Sequence, residues 1–220
     1  MGLEYIAAGY RIGGAELYAS YKSNGKGNKL PEEFREKQDL AVVIVDMQQD
    51  FLKIISPEKR DRIIRNQIRV IRYCSANEIP IVVLEISKYS DTIAELQEHL
   101  VLPLRTRKFQ KKVDNGFTNP EIKGYLKGLN IKSLFFMGIN ADACVMRTAE
   151  GGLHSGYDVA TAEEVIAQPE YWGTYLYRKL FGEKGRLYLD ARSYLEKGRE
   201  VRIDVANGDL IDRLVKATLF

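Results

Sequence analysis

Histidine and cysteine are scarce in this chain, with two of each in 220 residues. Two cysteines, Cys74 and Cys144, are too few for a disulfide framework, and no C-x-x-C is present. Zinc-ribbon and thioredoxin-like sites are thereby excluded. The two isolated histidines, His99 and His154, match no metal-ligand spacing, so no metal is expected. Neither G-x-x-x-x-G-K-[ST] nor G-x-G-x-x-G occurs, which removes the phosphate-loop and dinucleotide signatures and leaves no cofactor to expect. No apolar run approaches membrane-spanning length, and no basic segment followed by an apolar core opens the chain. Charge of one sign is lacking too. The 33 basic and 30 acidic residues leave a net charge of +3, which gives no electrostatic case for a nucleic-acid or membrane partner. The expectation is a cytoplasmic protein with reduced thiols.

What is present is a regular alternation. Residues 41–45, 80–84, 133–137 and 157–162 are short apolar, mostly β-branched or aromatic runs, as in strands buried on both faces. Between them, residues 57–76, 90–100, 119–129 and 144–155 carry helical spacing. Asn119 and Pro120 mark one helix start, and Gly156 marks one helix end. Strand and helix in alternation predict a three-layer α/β/α sandwich with a mostly parallel, Rossmann-like sheet. Residues 39–168 form the expected core. Residues 1–38, with the polar stretch 23–29, are an N-terminal extension. Residues 169–220 are a C-terminal extension packing on the core, with an aromatic cluster of Tyr171, Trp172, Tyr175 and Tyr177. A last helix is expected from Asp204 or Asn207 to Leu219.

In parallel sheets the site lies beyond the carboxyl ends of the strands. Asp46 directly follows the first run, and Gly138-Ile139-Asn140-Ala141-Asp142-Ala143-Cys144 follows the third. Cys144 therefore stands between a buried strand and a helix start, where helix N–H groups favour a thiolate. His154 lies ten residues further along the same helix, about 15 Å along its axis, and cannot take the thiol proton. His99, in a polar segment, reads as a surface residue. A carboxylate is left as the base, and burial would raise the pKa of Asp46 toward that of a thiol. A cation is then needed, and Lys108, Lys111 and Lys112 are all available. Cys74 shares a helical stripe with Ile63 and Val70 and reads as core.

Three blocks in this order resemble the isochorismatase-like cysteine hydrolases, the superfamily of nicotinamidases and N-carbamoylsarcosine amidase. They are Val43-Ile44-Val45-Asp46-Met47-Gln48-Gln49-Asp50-Phe51, Lys111-Lys112-Val113-Asp114-Asn115-Gly116-Phe117, and Gly138 through Cys144-Val145 to Gly156-Tyr157-Asp158-Val159. The resemblance implies a triad: Cys144 as nucleophile, Asp46 as acid and base, and Lys111 as the thiolate's partner, with Lys112 next in line. It also implies a cis peptide at Ile139-Asn140, an oxyanion held by the N–H groups of Ala143 and Cys144, and a pocket lined by Phe51 and Phe117. The Asp-x-His metal motif of nicotinamidases has no counterpart in residues 84–91, which hold no histidine. The implied activity is metal-independent cleavage of a C–N bond in a small amide, ureido or carbamoyl compound through a cysteine acyl-enzyme, in a homo-oligomer (dimer or tetramer). The alternative is a catalytically silent member of the family acting in binding or assembly.

Overall fold

The computed structural model describes residues 9–12, 15–18, 39–100, 105–173 and 175–195. A hairpin of β1 (Gly9–Ile12) and β2 (Ala15–Tyr18) comes first. The main body follows as β3 (Leu40–Val45), α1 (Gln49–Leu52), α2 (Pro57–Ala76), β4 (Ile81–Ile86), α3 (Ala94–Gln97), β5 (Thr106–Lys111), α4 (Pro120–Gly128), β6 (Ser133–Ile139), α5 (Met146–His154), β7 (Asp158–Ala167), α6 (Leu176–Glu183), β8 (Arg186–Tyr188) and α7 (Ala191–Leu195). Six of the strands form one parallel sheet in the order β5-β4-β3-β6-β7-β8, and with its helices it makes the α/β sandwich the alternation predicts.

The central strands are those whose sequence is continuously apolar. Every residue of β3 and β4 is buried, including Glu85. The chain lays β4 and β5 on one side of β3, then β6, β7 and β8 on the other. The direction of winding thus reverses between β3 and β6, and a crevice opens beyond the carboxyl ends of strands at such a reversal. The two strands also approach unusually closely there. A Cβ on Gly138, which has φ +138°, would sit 2.1 Å from the Val45 carbonyl oxygen. Only glycine fits that position.

Two strands of the six-stranded sheet are absent from the sequence reading. In β5, Thr-Arg-Lys-Phe-Gln-Lys, only Phe109 and Lys111 are buried. An edge strand with one exposed face carries too few apolar residues to stand out. The three-residue β8 extends the sheet into the segment read as the C-terminal extension. The helix expected over 90–100 is only the single turn Ala94–Gln97. Its first residues are bound elsewhere: Thr92 forms an antiparallel bridge with Gln48, and its N–H and hydroxyl both donate to Glu85 Oε1 at 2.7 Å. The expected final helix, 204–219, lies outside the described residues.

The helices fit their stripes. Ile63, Gln67, Val70, Ile71 and Cys74 form the buried face of α2, which packs on β7. Asn119 caps α4 by accepting the Glu121 N–H at 3.0 Å, with Pro120 in the first turn. After α5 the backbone turns through Gly156 at φ +87°, the left-handed conformation glycine supplies at a helix end.

Candidate active site

Asp46 is the first residue after β3. Its φ of +49° is rare outside glycine, and its N–H donates to the Leu84 carbonyl at 2.9 Å. Gln48 ties the same turn to the end of β4. Its Oε1 accepts the Ile86 N–H at 3.0 Å, while its Nε2 donates to the Ile86 carbonyl at 3.1 Å and to the Ser90 carbonyl. The turn carrying Asp46 is therefore fixed on both sides.

Lys111 ends β5, two strands away, with its side chain fully buried. Its Nζ stands 2.7 Å from Asp46 Oδ2 and donates to the carbonyls of Val113 and Asp114, each at 3.3 Å. The ion pair with Lys111 compensates the buried Asp46 carboxylate, and the Cys144 thiol is its other polar neighbour. Lys112 is exposed. Lys108 is engaged with Glu85 at 3.0 Å and Asp91 at 3.7 Å. Of the three candidate lysines, Lys111 is the one that meets Asp46.

Cys144 lies in a π-helical turn, Ala141–Val145, between β6 and α5, and is 3 % exposed. Its thiol neighbours Asp46 and donates to Asp114 Oδ1 at 3.5 Å. The turn is anchored from outside. The Asp142 N–H donates to Gln168 Oε1 at 3.1 Å, and Asp142 Oδ1 accepts the Tyr177 N–H at 2.8 Å. The Ile139–Asn140 peptide bond is cis. The Asn140 carbonyl accepts the N–H groups of Ala143 at 3.2 Å and Val145 at 3.1 Å. The Ala143 N–H, expected to face an oxyanion, is thus occupied within the turn.

Burial pushes the Cys144 thiol up, the charge of Asp46 adds to this, and Lys111 only partly opposes it, with Asp114 contributing a further negative charge. These surroundings work against the thiolate that its place beside a helix start favours. Burial also raises the Asp46 carboxyl, with Lys111 pulling it back. Thiol and acid are both displaced upward, and they contact each other.

The remaining sequence candidates separate. Phe51 is half-buried, edge-on to Tyr89 with ring centroids 4.8 Å apart. Phe117 is buried against Tyr157. His99 contacts Arg72, and His154 is exposed at the end of α5. Cys74 is fully buried and, among the described residues, both cysteines are free. Among the described residues, no group of three or more His, Cys, Asp or Glu side chains is arranged to hold a metal. Glu85, in the stretch corresponding to the metal motif, has its oxygens taken by Thr92, Gln110 and Lys108. Among the described residues no helix is long and apolar enough to cross a membrane. Sequence reasoning passed over Asp114 and Asp142. Asp114 had one signal, an acid three residues beyond Lys111.

Comparison with known proteins gives the family. No curated protein matches the chain by sequence. Solved structures match by fold. The MAR1 ribonuclease of Caenorhabditis elegans is 20 % identical, with 82 % of this chain and 91 % of that one covered at a TM-score of 0.65. The nicotinamidase of Staphylococcus aureus is 18 % identical, with 69 % and 99 % covered at 0.61. The N-carbamoylsarcosine amidase of Thermoplasma acidophilum is 17 % identical, with 68 % and 95 % covered at 0.58. These likenesses carry the fold alone. A family model described as the isochorismatase domain matches residues 40–170, more than half of the chain and the whole stretch that holds Asp46, Lys111 and Cys144. The chain belongs to the isochorismatase domain family of hydrolases.

Proposed function

We propose that the protein hydrolyses a C–N bond of a small amide, ureido or carbamoyl compound through a cysteine acyl-enzyme, without a metal. The observation that carries this reading is the sealed Asp46–Lys111 pair, 2.7 Å between charged atoms, against a buried thiol. The Cys144 proton passes to Asp46 as sulfur attacks the substrate carbonyl carbon. Before transfer the site holds a carboxylate, an ammonium and a thiol. After it, the site holds a carboxylic acid, an ammonium and a thiolate. Net charge is unchanged, so transfer in this low-dielectric setting requires no charge to be created, and Lys111 faces whichever group is the anion. The carbonyl π electrons move to oxygen, where the Cys144 N–H is the donor we assign to the oxyanion. Collapse of the tetrahedral intermediate breaks the C–N bond, and the amine leaves with the proton from Asp46. The thioester then reacts with water, deprotonated by Asp46, to release the acid and restore the thiol.

The test is a screen of small amides, ureides and carbamoyl compounds with the wild type, Cys144→Ala and Asp46→Asn, with mass spectrometry of the protein during turnover. Both variants are expected to lose at least about 100-fold in rate, and an acyl adduct is expected on Cys144. Hydrolysis that survives Cys144→Ala would falsify the mechanism.

A further inference from the structure

Asp114 is a second carboxylate on the reactive sulfur, and the acyl-enzyme mechanism gives it no step. Its Oδ1 accepts the Cys144 thiol at 3.5 Å. Its backbone is held at two points: its carbonyl accepts Lys111 Nζ at 3.3 Å and lies 3.0 Å from Thr148 Oγ1, a hydroxyl also within 2.6 Å of the Cys144 carbonyl. The residue is nevertheless exposed, whereas Asp46, Lys111 and Cys144 are all buried. Asp114 is thus the solvent-side neighbour of a sulfur otherwise enclosed by protein. Charge adds to this placement. Lys111 is matched by Asp46, so the formal charge left uncompensated around the thiol is that of Asp114.

We infer that Asp114 is a specificity-determining residue that selects substrates carrying a cationic nitrogen, an ammonium, amidinium or guanidinium, a few bonds from the scissile carbonyl. This rests on the cysteine-hydrolase reading. A cationic nitrogen docked on Asp114 replaces the thiol as its hydrogen-bond donor. The thiol proton is then free to pass to Asp46, and the negative charge opposing sulfur ionisation is neutralised. Selection and activation are one event: a neutral or anionic amide leaves the thiol bonded to Asp114. An exposed carboxylate beside the sulfur also concentrates cations and repels anions.

Two thiol reagents of opposite charge test the inference on the full chain without a known substrate. These are 2-aminoethyl methanethiosulfonate, a cation, and 2-sulfonatoethyl methanethiosulfonate, an anion. Each forms a mixed disulfide with the cysteine sulfur and releases methanesulfinate. Rates are read by mass spectrometry, with Cys144→Ala alongside to subtract Cys74. The wild type is expected to favour the cation by roughly tenfold or more beyond the ratio for free cysteine. Asp114→Asn and Asp114→Ser should fall to the free-cysteine ratio, and Asp114→Glu should retain the preference. A reactive Cys144 with the same ratio in the wild type and Asp114→Asn overturns the inference and leaves the hydrolase reading standing. A Cys144 that neither reagent reaches overturns both. A charge-selective Cys144 in a protein that hydrolyses no amide supports the selection and sinks the hydrolase reading.

Discussion

Lys111 Nζ and Asp46 Oδ2 stand 2.7 Å apart in the protein interior, although Lys111 ends β5, Asp46 follows β3, and β4 lies between those strands. Each side chain is tolerable there only because of the other, since removing one partner of a buried pair leaves an uncompensated charge. Lys111→Met and Asp46→Asn should each lower stability by about 3–5 kcal/mol. The double variant should lose clearly less than the sum, because it leaves no buried charge unmatched. Urea unfolding of the four proteins measures the coupling, and additive losses would mean that the pair is not coupled. Lys112→Ala, at an exposed position, should change stability by no more than about 0.5 kcal/mol.

The same two side chains, with burial, set the reactivity of Cys144. Burial and the charge of Asp46 raise the thiol, and Lys111 lowers it. The signs for single variants follow. Asp46→Asn removes a raising charge, so the Cys144 thiol should ionise at lower pH than in the wild type. Lys111→Met removes the lowering charge, so the thiol should ionise at higher pH. Iodoacetamide alkylation across pH, in a Cys74→Ala background, reads both shifts. In the wild type the half-point should lie above the value of about 8.5 of a free cysteine. A wild-type thiol that ionises below that value would contradict the electrostatic picture.

The sequence discloses those parts of the fold that depend on local pattern. The β-branched run before Asp46, the stripe of α2, the Asn119–Pro120 start and the Gly156 stop each follow from residues close to one another in the chain. That Asp46 and the turn carrying Cys144 share a sheet edge is legible for a different reason, because both follow parallel strands. Three features required tertiary information. Lys108, Lys111 and Lys112 are equivalent by residue type and differ only in strand register, which brings Lys111 opposite Ile86 and inward. The 90–100 helix shortens because Glu85 and Gln48 capture the backbone at Thr92. The contact of Asp114 with the Cys144 thiol is set by the turn after β5 and by Thr148 on α5.

Acid and base dependence of stability should separate two buried carboxylates with opposite signs. Burial disfavours the Glu85 carboxylate, but its bonds to Thr92 and its pairing with Lys108 outweigh this and hold its pKa below the ordinary glutamate value. The unfolded chain then binds the proton more readily than the native one. The contribution of Glu85 is full above the ordinary value and is lost as pH falls through the lowered one. Asp46 is shifted the other way, upward by burial. There the native state holds the proton more tightly, so stability falls as pH rises from the ordinary aspartate value through the raised one. Glu85→Gln should therefore flatten the loss of stability on acidification. Asp46→Asn should remove a loss on going from acid toward neutral pH, whatever it does to stability at one pH. Denaturant midpoints from pH 3 to 8 for the wild type and both variants check the two slopes. A Glu85→Gln curve parallel to the wild type below the ordinary glutamate value would mean that the Thr92 bonds do not hold that carboxylate in its charged form.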